Sequence, residues 1–189
     1  MVYIPNAYSQ LDQWNSVMFL YESALKAINT KIEILNEEFI HMYGHTPIEH
    51  IKSRVKTPDS IVKKMKRNGY EVTIENMVEK LSDIAGIRII CSFQDDVYRV
   101  AGAIKKLPGY ELVKEKNYIT KPKSSGYRSI HLILRPTKTT SNIKCIEVQV
   151  RSAAMNYWAI LEHQLCYKNE KKGAERIRIA FVDSDFNGT

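Results

Sequence analysis

The sequence predicts an α+β protein: a mixed β-sheet flanked by helices, with a long N-terminal helix ahead of it. Two observations carry this. Between Tyr21 and Met42, apolar residues recur at alternating spacings of four and three, the period of a helical seam. Beyond it, short Ile- and Val-rich runs alternate with amphipathic stretches, so helices fall before, between and after strands. Length and composition agree: 189 residues, 44% hydrophobic and 26% charged, suit one globular domain with a substantial core.

The elements follow in order. The pattern is helical from about Tyr8 to Met42, with Tyr21, Leu25, Ile28, Ile32, Leu35, Phe39 and Met42 on the seam, and Gly44 and Pro47 ending it. The seam packs on its own domain, or part of it joins a second subunit. Ile48 to Lys66 carries a helix start at Thr57-Pro58-Asp59 and a basic face: Lys56, Lys63, Lys64 and Arg67 crowd around Ser60, with Arg54 upstream. Ile74 to Leu81 is a short helix, Ile84 to Phe93 a buried strand interrupted by Arg88, and Val97 to Leu107 an amphipathic helix closed by the Pro108-Gly109 turn. Tyr110 to Val113, Arg128 to Leu134 and Ile143 to Val150 complete the strands. Ser152 to Tyr167 is helical, with Ala154, Trp158, Leu161 and Leu165 on a core-facing side. The tail from Lys168 to Thr189 is uneven and frayed in pattern.

Composition narrows the function. The longest apolar run, Ile87 to Phe93, is too short to span a bilayer, and no basic-then-apolar leader opens the chain, so a cytoplasmic protein without a membrane partner is expected. Three widely spaced cysteines, Cys91, Cys145 and Cys166, argue against a disulfide framework or zinc ribbon. His41, His45 and His50 raise a zinc question, but Gly44 and Pro47 break the helix that would align them. The net charge of +7 implies acidic partners, nucleotides or nucleic acid.

Three segments concentrate the chemistry. Ser124 to His131 packs hydroxyls, Gly126, the Tyr127 ring, Arg128 and His131 into eight consecutive residues. Such a set can stack a base and hold phosphate and sugar oxygens. Alternation along Glu147 to Arg151 puts Glu147, Gln149 and Arg151 on one face, with Val148 and Val150 anchored opposite. An exposed sheet face with a Glu–Arg pair would show the same pattern. Asp83, at the mouth of the Ile84 strand, and Glu147 on a second strand form a pair suited to Mg²⁺. Alternation places Asp83 and Arg88 on opposite faces, so Asp83 lies outside the strand proper or Gly86 marks a bulge.

Together these segments closely resemble the RelA/SpoT-type (p)ppGpp synthetases, specifically the small, single-domain alarmone synthetases. The matching stretches are His45 to His50, Arg54-Val55-Lys56, Asp83 to Phe93, Tyr118 to Lys123, Ser125 to His131, Glu147 to Arg151, and Met155 to His163. They run in order at family-like spacing from about Tyr21 to Lys168. The resemblance implies a nucleotidyltransferase-like sheet, and a division into an N-terminal helical segment (1–45), a catalytic domain (46–168) and a divergent tail (169–189).

It also implies transfer of pyrophosphate from ATP to the ribose 3′-hydroxyl of GDP or GTP, with release of AMP. By the resemblance, Asp83 and Glu147 are the catalytic and metal-holding carboxylates for Mg²⁺. Arg54, Lys56, Ser60, Lys64, Arg67 and Arg88 surround ATP. Lys123, Tyr127, His131, Gln149 and Asn156 hold the acceptor, with Tyr127 stacked on guanine. No His-Asp doublet of the family's hydrolase domain is present, so synthesis without hydrolysis is expected.

Relatives form tetramers, which implies a homo-oligomer. Glu33 and His50 replace the Lys and Phe through which pppGpp activates some of them, so that activation is not expected here. Asn117 stands where many relatives have Asp, and the tail from Asn169 does not match. A noncatalytic module binding guanine nucleotide or single-stranded RNA is the alternative reading. The two carboxylates weigh against it, because they would weaken phosphate binding in an RNA groove.

Overall fold

The computed structural model describes residues 10–137 and 143–168. Helix α1 (Gln10–Tyr43) leads into strand β1 (Ile48–Val55), followed by α2 (Pro58–Arg67), α3 (Ile74–Lys80), β2 (Ala85–Cys91), α4 (Gln94–Ile104), β3 (Tyr110–Asn117), β4 (Ile130–Pro136), β5 (Ile146–Ser152) and α5 (Ala153–Lys168). The strands form one five-stranded sheet in the order β1-β2-β5-β4-β3. Only the central β2–β5 pair is parallel; the other three pairings are antiparallel. The predicted mixed sheet flanked by helices, with its long N-terminal helix, is what forms.

Alternation gives each central strand two unlike faces. Ile87 and Ile89 on β2, Leu132 and Leu134 on β4, and Val148 and Val150 on β5 all enter a single core, which α1 and α4 cover. The α1 seam behaves as its spacing requires: Tyr21, Leu25, Ile28, Ile32 and Phe39 are buried and Leu35 packs against the core. Met42 departs from it and is exposed, one residue before the helix ends at Tyr43, ahead of Gly44, whose φ is +70°. The opposite sheet face carries the charged residues of the central strands.

Several local expectations are corrected. Strand β1 was not anticipated, because its apolar residues Ile51 and Val55 are only half-buried and alternate with cations. Strand β3 continues to Asn117, four residues past the expected Val113, held by its antiparallel partner β4. On α5, Ala154 is exposed and Met155 takes the buried position, with Trp158 and Leu161 half-buried. At the helix start the Met155 N–H donates to Ser152 Oγ at 3.3 Å, which caps the first turn. Leu165 and Cys166 lie outside the residues whose side chains are described, as do Tyr8 and the tail 169–189 outside the described residues altogether.

Candidate active site

Strand β1 supplies one wall. Lys52, Arg54 and Lys56 sit at alternate positions, so their side chains share the face turned away from α1, while Ser53 on the other face accepts a 2.8 Å hydrogen bond from Asn29 of α1. Across the sheet the register builds two rows. Lys52 stands opposite Arg88, Arg88 opposite Gln149, and Gln149 opposite His131. In the next row Arg54 faces Gly86 and Gly86 faces Glu147. Gly86 has open space where a side chain would stand, which leaves the floor between Arg54 and Glu147 clear. Lys52, Arg54, Lys56, Asp83, Arg88, Glu147 and Gln149 line the resulting polar cleft of about 200 Å³.

Asp83 precedes β2, outside the strand, and no register shift interrupts the β1–β2 pairing at Gly86. The side-chain Oδ2 of Asp83 accepts hydrogen bonds from Lys56 Nζ and Lys64 Nζ, both at 2.6 Å. Lys56 Nζ also donates to the Asp83 carbonyl at 3.3 Å. Burial alone would raise the Asp83 pKa; the hydrogen bonds and charges of the two lysines outweigh it and hold the carboxyl below the usual range. The other oxygen, Oδ1, is buried and has no hydrogen-bond partner among the described residues.

The second half of the site is a connected chain on β4 and β5. His131 Nδ1 donates to Glu147 Oε1 at 3.0 Å, since a carboxylate only accepts. Gln149 Nε2 donates to Glu147 Oε2 at 2.9 Å, and Arg151 donates to Gln149 Oε1 at 2.7 Å. The Tyr127 hydroxyl meets His131 Nε2 at 2.8 Å. Burial again pushes the Glu147 carboxyl up, but His131 and then Gln149 bring it below its ordinary value. Burial raises the Tyr127 phenol, against the opposing charge of Arg151. Lys123 Nζ and the Arg151 guanidinium lie 4.8 and 5.3 Å from the Tyr127 ring centre. The ring thus stands among cations, a setting that suits an electron-rich face for stacking.

The structure brings most of the expected residues together. Arg54, Lys56, Asp83, Arg88, Glu147 and Gln149 line the cleft, Lys64 reaches Asp83, and His131 and Tyr127 join through Glu147. Lys123 reaches the group over the Tyr127 ring. Ser60 and Arg67 stand on α2 outside the cleft lining, Ser60 accepting from the Thr57 hydroxyl at 2.9 Å. Asn156 lies on the first turns of α5, half-buried, with its Oδ1 unpartnered among the described residues. Two participants were missed as site residues. Arg151 is 98% covered and sits within the hydrogen-bonded chain; its place on the Glu147 face was the available signal. Lys52 lines the cleft, and the period-two pattern of Lys52, Arg54 and Lys56 would have revealed it had β1 been recognised.

Comparison with known proteins follows the same lines. A family model for the region found in RelA / SpoT proteins matches residues 53–172. The chain is 45% identical over 161 residues to the GTP pyrophosphokinase YwaC of Bacillus subtilis, covering 84% of this chain and 77% of that protein. It is 34% identical over 170 residues to the GTP pyrophosphokinase YjbM of the same organism, covering 88% and 79%. Among solved structures, the small alarmone synthetase 1 of Bacillus subtilis bound to its product pppGpp superposes with a TM-score of 0.77 at 30% identity, over 92% of this chain and 89% of the other. The small alarmone synthetase 2 of Bacillus subtilis gives 0.75 at 39% identity, over 92% and 93%.

Proposed function

The chain belongs to the RelA/SpoT family, and from that premise we propose that it is a GTP pyrophosphokinase, moving the terminal pyrophosphate of ATP to the ribose 3′-hydroxyl of GDP or GTP. The observation that carries this reading is a pair of carboxylates, Asp83 and Glu147, set into a cleft whose other charged lining residues are all cations. A site for binding polyanions alone has no use for buried negative charge. A site that must hold a divalent cation and move a hydroxyl proton does.

In the reaction, the 3′-oxygen bonds to the β-phosphorus of ATP while the bond from that phosphorus to the α,β-bridging oxygen breaks. AMP departs with the bridging oxygen, and the hydroxyl proton passes to a base. Such displacement at phosphorus depends on in-line placement and neutralised charge. Arg54, Lys56 and Lys64 provide that charge on the donor side. With ATP in place, Lys56 and Lys64 have phosphate oxygens as a second set of acceptors besides Asp83. Tyr127, with Lys123, His131, Gln149 and Asn156, is assigned to the acceptor nucleoside. Glu147, oriented through both oxygens by His131 and Gln149, takes the proton or the metal.

The carboxylates fit a hard divalent cation. Among the described residues Asp83 Oδ1 is buried with no partner, and each Glu147 oxygen keeps a lone pair beyond its single hydrogen bond. Asp83 and Glu147 would hold Mg²⁺, which when bound supplies charge neutralisation at the phosphate oxygens. Self-association belongs to the same proposal, supported by Phe19 and Ile34 on α1 and Tyr157 and Ile160 on α5, all apolar and exposed. Among the described residues no helix is long and apolar enough to cross a membrane. A cytoplasmic location belongs to the same proposal, because its substrates are ATP and GDP or GTP.

The test is incubation with Mg²⁺, γ-labelled ATP and GDP or GTP, with products resolved by chromatography. Labelled guanosine 3′-pyrophosphate should form in step with AMP, and Glu147→Gln should lower turnover at least 100-fold while nucleotide affinity changes little. Binding of guanine nucleotide without product from folded protein would instead indicate a noncatalytic module.

A further inference from the structure

Arg151 has no part in the roles assigned above. It stands near the end of β5, almost wholly covered, on the face that carries Glu147 and Gln149. It donates to Gln149 Oε1 at 2.7 Å and lies 5.3 Å from the centre of the Tyr127 ring. Among the described residues no carboxylate forms an ion pair with it, and its Nε–H has no acceptor. A cation buried without a counter-charge in contact is costly, and an apolar side chain of similar volume would fill such a place at least as stably. Packing alone therefore gives no reason for a guanidinium here.

Gln149 supplies the reason. An amide has one end that accepts and one that donates, nearly equal in size, so it can turn over. At Gln149 the neighbours remove that choice. The guanidinium only donates and takes the oxygen; the Glu147 carboxylate only accepts and takes an N–H at 2.9 Å. Glu147 has its other oxygen on His131, whose Nε2 meets the Tyr127 hydroxyl. The contact of Arg151 with the Tyr127 ring closes Tyr127, His131, Glu147, Gln149 and Arg151 into one circuit. Without Arg151 the Gln149 amide keeps only its bond to Glu147 among the described residues, and the carboxylate oxygen on it loses its fixed direction.

We infer that Arg151 is a positioning residue for the transfer: by holding the Gln149 oxygen it sets the direction of the Glu147 carboxylate. Glu147 and Gln149 line the cleft and Arg151 does not, so Arg151 acts through Gln149. Proton transfer and in-line attack depend on that direction, so the loss of Arg151 acts on turnover and spares ATP binding. The inference rests on the pyrophosphate-transfer reading.

The test is a double-mutant cycle of Arg151→Met and Gln149→Met in the full chain. It is read by steady-state kinetics and by NMR of the side-chain amides in isotope-labelled protein. Arg151→Met should lower kcat about 10-fold and leave KM for ATP within about two-fold. In the Gln149→Met background the same substitution should change kcat by less than about two-fold, since no amide is left to hold. Losses that multiply would overturn the inference, because Arg151 would then act by its field or through folding. The Gln149 amide signal, identified by its loss in Gln149→Met, should be rigid in the unaltered protein and mobile in Arg151→Met. An amide equally rigid in both overturns the inference as well. Should Arg151→Met not fold, Arg151→Lys, which keeps a donor but loses the planar fork, carries the same cycle. If the unaltered protein makes no product at all, the reaction assignment has failed instead. The amide measurement then still decides whether Arg151 holds Gln149.

Discussion

One carboxylate oxygen receiving two ammonium groups is the most loaded contact in the molecule. The Asp83 side chain is about four-fifths removed from water and would be unfavourable there unpaired; Lys56 and Lys64 make its charge tolerable. The sign of the resulting pH dependence is fixed by the direction of the shift. A carboxyl held below its unfolded value, about 3.9, contributes stability that is complete above that value and is lost as pH falls through the folded one. Thermal melts of the unaltered protein and of Asp83→Asn should therefore differ most near neutrality and converge below about pH 4. A constant difference across that range would show that the carboxylate charge contributes nothing to folding. None of this pairing was legible locally, since Lys56 and Lys64 are 27 and 19 residues from Asp83 in the chain. The residue types were legible; the partnership was not.

Two elements carry the site, and each is legible for a different reason. The turn before β4 announces itself through Gly126, whose φ of +78° is one that side-chain-bearing residues rarely adopt. A β-carbon there would lie 3.2 Å from Trp158 Nε1, and that same nitrogen donates to the Ser125 carbonyl at 3.2 Å. Helix α5 thus pins the loop that presents Lys123 and Tyr127. Gly126→Ala combines left-handed strain of about 1–2 kcal/mol with a displaced Trp158. KM for GDP should rise several-fold with KM for ATP unaffected, measured at saturating co-substrate; equal effects on both would place Gly126 outside the acceptor subsite. Strand β1 is the opposite case. Its alternation is present in the sequence, but half of its positions are cationic and the apolar ones are few, as edge strands commonly are. The strand that bears cations of the cleft was hidden by their charge.

At the scale of the whole molecule, α1 and α4 bury one face of the sheet and leave the other to polar chemistry. Removing contacts from the shared core should therefore act on folding, with no direct effect on binding. Ile28 is fully buried on α1, so Ile28→Ala should cost about 2–4 kcal/mol in denaturant unfolding, with nucleotide KM values unchanged. Met42→Ala, at a position 60% exposed near the end of the same seam, should stay within about 0.5 kcal/mol. Similar losses at both sites would mean that the seam is covered along its whole length, as in an oligomer.

The helical seam, the buried central strands and the residue types of the proposed reacting groups were all legible in the chain's residues. Period and side-chain chemistry are local properties, written in neighbouring residues. That β2 and β5 lie side by side and parallel, bringing Gly86 beside Glu147 with Arg54 beyond, came from the folded chain. The fold also placed His131 and Gln149 on the two oxygens of Glu147, and Lys52 on the wall of the cleft. Strand order and register arise from burying many apolar faces at once, and no short window of residues contains that collective choice.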